Sequence, residues 1–169
     1  MSGNAEAIID TEDGTFLVRD ALADTYADQG AAARASRIPG SRGGRMLGAS
    51  GTVLQVRCAH QYSSPWVRVE VLDGAVEAGE EPWEWAEPSG LTVVSGRIGV
   101  DGQASVVLEL DAAPGRYVAL VGHQGRGEMR EAAVRVEEGQ AAVGGEATYA
   151  AWQRLRGTEK YLVRLWPAS

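Results

Sequence analysis

The 169-residue sequence predicts an all-β fold: one antiparallel β-sandwich domain, residues 1–169, carrying one or two short helices or long loops. Three observations predict it. Apolar and polar residues alternate with period two in several short runs. Asp-Gly dipeptides, which tolerate the positive φ of tight turns, punctuate the chain at Asp13-Gly14, Asp73-Gly74 and Asp101-Gly102. The last run is ended by Pro167, which cannot donate to a strand ladder.

Each element follows from its own residues. Residues 20 to 47 are rich in Ala, Gly and Arg and read as a loop or short helix insertion. In residues 51–58, Leu54, Val56 and Cys58 share one face while Gln55 and Arg57 share the other, which marks a half-buried strand. The same alternation sets Val67, Val69 and Val71 against Arg68 and Glu70. Leu91 to Val100, Asp101-Gly102 and Gln103 to Leu110 form an expected antiparallel hairpin. The run from Pro114 to Val121 is apolar on both faces, as a central strand is. Residues 139 to 157 are expected to carry a helical turn around Tyr149 to Trp152, and the closing strand buries Tyr161, Val163 and Leu165.

Composition bounds the function. Hydrophobic residues make up 44% and charged residues 23%, the balance of a folded domain that needs no staples. No run of about 18 apolar residues would span a membrane, and the first residues lack the basic and apolar regions of an export signal. A lone cysteine, Cys58, permits no intrachain disulfide, so a reducing, cytoplasmic setting is expected. The net charge of -7 argues against direct nucleic-acid binding, which clustered Lys and Arg supply.

That charge is concentrated. Between Arg68 and Arg97 lie Glu70, Asp73, Glu77, Glu80, Glu81, Glu84 and Glu87 with no base among them, and elsewhere the acids equal the 16 bases in number. Trp83 and Trp85 sit inside this window. Carboxylates beside surface tryptophan read as a protein-binding surface, because Trp supplies interface hot spots and charge complementarity chooses the partner. Since Glu70 belongs to a strand, the acids that matter are those of one connecting loop, Glu77 through Glu87. The competing reading is a solvated loop whose tryptophans fold back onto the core.

Catalytic and metal chemistry is not supported. Cys58 and His60 are two apart, and with His123 they make a thin zinc pattern; Cys58 reads instead as a core residue. Ser63-Ser64 before Pro65 reads as a turn, not a nucleophile. Gly40-Ser41-Arg42-Gly43-Gly44 lacks the spacing and the lysine of a phosphate loop. No cofactor and no catalytic residue is expected, and the chain is read as a non-enzyme.

Four stretches resemble a family. The segments Ala113 to Val121, Gly125 to Glu128, Gly157 to Ala168 and Asp13 to Asp20 are similar to the competence-protein-J-like nuclease inhibitors, small bacterial β-sandwich proteins. In these a "PGWYRVRV" type strand is followed by a terminal "YLIQLWPA" type strand. The resemblance spans about half the chain; the segments 31 to 47 and 139 to 157 depart from it. It implies a β-sandwich that neutralises a nuclease or toxin without chemistry of its own. Two other uses are weighed: an adaptor or accessory subunit docking through Arg34, Arg37, Arg42 and Arg45, and carbohydrate binding on Trp66, Trp83 and Trp85.

Overall fold

In the computed structural model of the chain, residues 3–11, 13–37, 45–79, 82–103, 106–140 and 145–169 are described below. Eleven strands and three helices follow one another in those residues. They are β1 (Gly3–Ile8), β2 (Thr15–Asp20), α1 (Tyr26–Ala35), β3 (Leu47–Ser50), β4 (Val53–Arg57), β5 (Trp66–Val71), β6 (Glu84–Trp85) and β7 (Ser89–Val93), then β8 (Arg97–Asp101), β9 (Val106–Asp111), β10 (Gly115–Gln124), α2 (Arg126–Gln140), α3 (Gly145–Arg154) and β11 (Lys160–Pro167). One sheet runs β1-β5-β11-β10-β6, with β7 also paired to β10; the other runs β3-β4-β2-β8-β9.

The described residues are thus mostly β, with two sheets and three helices. One apolar cluster joins the sheets: Phe16, Val18, Leu54, Val56, Ile98 and Val100 from one meet Val67, Val69, Val121, Tyr161, Val163 and Leu165 from the other. The period-two alternation is what builds it. In β5 the valines are buried while Trp66, Arg68 and Glu70 stay half-exposed on the far face. Cys58 packs against this core from the end of β4.

Sequence expectations need correction in three places. Pairing is not antiparallel throughout, because β11 lies parallel to β5, Val163 opposite Val69, while running antiparallel to β10. Parallel neighbours are far apart in sequence, so no turn signal announces them.

The expected hairpin forms only in its second half. β8 and β9 pair as predicted, with Val100 opposite Leu108, but Leu91 and Val93 belong to β7 in the other sheet. Gly96, at φ +82°, lies in the bend between them. That bend is secured by Asp20, whose carboxylate accepts from the Val94 and Ser95 amides. Its role is invisible to alternation.

The third correction is α2, fifteen residues long and absent from the sequence reading. Its buried residues Met129, Ala132 and Ala133, with half-buried Val136, do recur with helical spacing. Gly125 admits it at φ +76°, where a Cβ would stand 2.2 Å from the Thr158 carbonyl oxygen.

The two irregular segments contain the other helices. α1 occupies part of residues 20 to 47 and rides on β3, where Gly48 leaves room for the Ala32 carbonyl. Asp28 in its first turn accepts from the Thr52 amide and hydroxyl, at 2.8 and 2.7 Å. α3 spans the expected turn around Tyr149 to Trp152.

Candidate functional site

The acidic segment leaves β5 at Leu72 and returns along the edge of β10 as β6, with Trp85 opposite Gly122 and Glu84 opposite His123. Trp85 lies over Gly122: a Cβ there would stand 3.0 Å from the indole ring. The indole N–H donates to the Gly79 carbonyl at 2.7 Å, and the Ala86 amide donates to the Val121 carbonyl at 2.9 Å. The stretch around Trp85 is therefore laid down on the sheet.

Trp83 leans against Trp85, ring centroids 6.4 Å apart and tilted by 45°. Both indoles are half-buried, while Glu77, Glu84 and Glu87 are exposed. Glu80 and Glu81 lie outside the described residues. The tryptophans thus fold back onto the sheet, and the described carboxylates stand in water beside them.

Folding also brings a base to the window that has none in sequence. The Arg164 guanidinium sits 5.1 Å from the centroid of the Trp85 ring, a cation–π geometry. Its Nε donates to Glu70 at 3.1 Å. Arg68 forms ion pairs with Glu70, at 2.9 Å, and with Glu6, at 3.6 Å. A ladder of Glu6, Arg68, Glu70, Arg164 and Trp85 thus crosses the outer face from β1 to β6, and Glu70 is neutralised within it. Arg164 was not singled out from sequence, although it sits on the strand face opposite Tyr161, Val163 and Leu165. That parity is the signal that would have found it.

The alternative arginines are less united. Arg34 and Arg37 are exposed and line one hollow with Tyr26, Gln29 and Asp101. Arg45 is exposed and does not line it, and Arg42 lies outside the described residues.

Cys58, His60 and His123 do not converge. Burial pushes the Cys58 thiol well above its usual range, with the Glu159 carboxylate adding to the effect. His60 is engaged elsewhere, its Nε2 2.9 Å from Glu137 and its Nδ1 accepting from the Tyr62 amide at 3.2 Å. Burial, then the nearby Arg126 charge, lowers the His123 pKa. Among the described residues no three His, Cys, Asp or Glu side chains are placed to hold a metal ion.

A polar cluster missed in the sequence surrounds Glu159, which is 1% exposed. Its Oε1 accepts from the Ala59 amide at 2.8 Å, from Arg126 at 3.2 Å and from the Tyr161 hydroxyl. Arg126 also donates to the Arg57 carbonyl at 2.6 Å. The cluster fastens the start of α2 to the end of β4 and to β11, a structural role for a buried charge pair.

No family model matches the chain, and no curated protein matches it. Solved structures do. One is "Crocagin biosynthetic gene J", with a TM-score of 0.58 at 16% identity, covering 100% of this chain and 99% of that one. Another is ComJ from Bacillus subtilis, titled an inhibitor of the DNA degrading activity of NucA, with a TM-score of 0.54 at 9% identity over 99% of each chain. The resemblance to the competence-protein-J-like group is therefore present in the fold, end to end, while the sequences share little.

Proposed function

We propose, from a fold shared over its whole length with a nuclease inhibitor, that this chain is a β-sandwich protein that binds and blocks a basic nuclease or toxin stoichiometrically. It would act as an immunity protein or nuclease inhibitor in the cytoplasm, without catalysis of its own. The full-length likeness to ComJ carries the reading. The docking surface we assign is Glu77, Glu80, Glu81, Trp83, Glu84, Trp85 and Glu87. A nuclease cleft is positive because it attracts phosphate, so carboxylates on a fixed aromatic base match it in sign. Gly122 and Arg164 hold that base in one position, which reduces the ordering cost of binding.

The test is a DNA-degradation assay over a panel of purified bacterial nucleases and nuclease toxins. One of them should be blocked with a 1:1 endpoint. The triple variant Glu77→Gln, Glu84→Gln, Glu87→Gln should weaken that inhibition at least about tenfold, or ~1.4 kcal/mol, and flatten its dependence on salt. Inhibition unchanged by the triple variant would remove the acidic surface, and a panel with no blocked member would remove the inhibitor reading.

An adaptor or accessory subunit is the second reading, favoured by the other structural neighbour, whose title names a biosynthetic role. It would dock through Arg34, Arg37, Arg42 and Arg45. Protection of these from proteolysis in a native complex, with the acidic segment left cleavable, would select it.

A further inference from the structure

Away from the acidic segment, an open cleft of about 860 Å³ lies between the chain after β1, residues 61–64, Gln103 and one side of α3. None of the described acidic residues of that segment, and none of Arg34, Arg37 and Arg45, lines it. Its volume falls within the range of ligand sites.

One wall is aromatic and fixed. Trp152 stacks on His60 with centroids 5.1 Å apart and planes within 14°, and Tyr62 meets Trp152 edge-on at 5.1 Å. His60 is itself held from both ring nitrogens, by Glu137 and by the Tyr62 amide. Tyr149, one turn before Trp152 on the same side of α3, is 66% exposed, and Tyr62 is 56% exposed. Aromatic area of this kind is costly to leave facing water.

Among the described residues, the rest of the lining is polar and carries no Val, Leu, Ile or Met side chain. Gln61, Gln103, Gln140 and Gln153 each offer both amide donors and a carbonyl acceptor. The two charges in the described lining, Asp10 and Arg156, are paired with each other, and Asp10 also accepts from Ser64 at 2.9 Å. The described lining is neutral as a whole. Ser63, 2% exposed, adds a hydroxyl without a hydrogen-bond partner among the described residues.

These features select a ligand class. A phosphate or nucleic acid would need unpaired cations, and an amine would need an unpaired carboxylate. An apolar peptide side chain would need an aliphatic pocket. A sugar ring presents a flat C–H face that stacks on aromatic side chains and an equator of hydroxyls that both donate and accept. The geometry points to this cleft as a binding site for a short neutral oligosaccharide, with Tyr149 and Trp152 as the stacking platform and Gln61, Gln153 and the Asp10–Arg156 pair reading its hydroxyls. The site is separate from the tryptophans at 66, 83 and 85 that the sequence offers for such a role, and it is independent of the inhibitor reading.

The experiment is titration of the intact protein with maltotriose, cellotriose, chitotriose and mannotriose, extended to an array of neutral glycans. Tryptophan fluorescence and amide NMR shifts are followed up to about 10 mM, past a millimolar dissociation constant. One glycan should give a saturable response that maps to α3 and residues 61–64. Tyr149→Ala and Gln153→Ala, both exposed positions that leave the core intact, should each weaken it at least about fivefold, and Trp83→Phe should leave it unchanged. Absence of saturation across the array overturns the proposal, as does saturation indifferent to both α3 variants. Tighter binding of a sulfated than of a neutral form overturns the assigned class.

Discussion

At the scale of single residues, Asp20 shows how a fully buried carboxylate becomes a structural element. Its Oδ1 accepts from the Leu22 and Ala23 amides at 3.0 and 2.9 Å, and its Oδ2 accepts from Val94 and from Ser95 at 2.7 Å. Burial pushes its pKa up, but the hydrogen bonds from Ser95, Val94 and Leu22 outweigh that and hold it well below the usual carboxylate value. Asp20→Asn keeps the shape but replaces one acceptor oxygen by a donor facing amides, and should cost about 2–3 kcal/mol in urea unfolding. Because the folded pKa is depressed, the ionised form's contribution is full above the unfolded value of 3.8 and is lost as pH falls toward the folded value. The gap between wild type and variant should therefore shrink as unfolding is measured from about pH 6 down to about pH 2. A constant gap would mean that the charge is not what the amides recognise. Nothing in the alternation around Phe16 and Val18 foretells this role, since Asp20 simply continues the inward-facing positions of β2. A buried acid at such a position is the legible clue, and its partners 74 and 75 residues away are not.

At the scale of elements, β10 is organised around a missing side chain. Gly122 gives Trp85 its seat, so Gly122→Val should lift the indole from the sheet without emptying the core. Tryptophan emission should shift to the red, with stability reduced by about 1–3 kcal/mol. An unchanged spectrum would show that the seat is not what positions the ring. β4, β5 and β11 were readable in sequence because each presents one apolar and one mixed face. α2 was not: exposed Val134 breaks its apolar stripe, and alanines at 132 and 133 carry little hydrophobic signal although both are buried. The candidate surface divides in the same way. Its carboxylates and tryptophans are a compositional anomaly visible at once, whereas Arg164 reaches Trp85 only through the pairing of β11 with β10 and of β10 with β6.

At the scale of the molecule, both sheets contribute to a single apolar cluster, so neither has a core of its own. Unfolding should be one cooperative transition, with far-ultraviolet circular dichroism and tryptophan fluorescence giving coincident midpoints. Two separated midpoints would show that the sheets melt independently. The class of fold was accessible from strand patterns because burial acts locally on each strand. Sheet membership was not, since the choice that sends β7 to one sheet and β8 to the other is made by partners distant in the chain. Where the acidic and aromatic segment sits was equally hidden, being set by its pairing to β10.

The parallel contact between β5 and β11 bears on how the chain is made. β11 fills the space between β5 and β10, and it is synthesised after both of them and after every other described element. Until it emerges, β1 and β5 have no neighbour joining them to β10, and the valines of β5 lack the strand that covers their open edge. The nascent protein would therefore hold an incomplete sheet with an apolar border until β11 has emerged, and insertion of one closing strand between two waiting ones would complete it. The surface assigned to a partner would acquire Arg164, and with it the cation over the indole, only when that strand is in place.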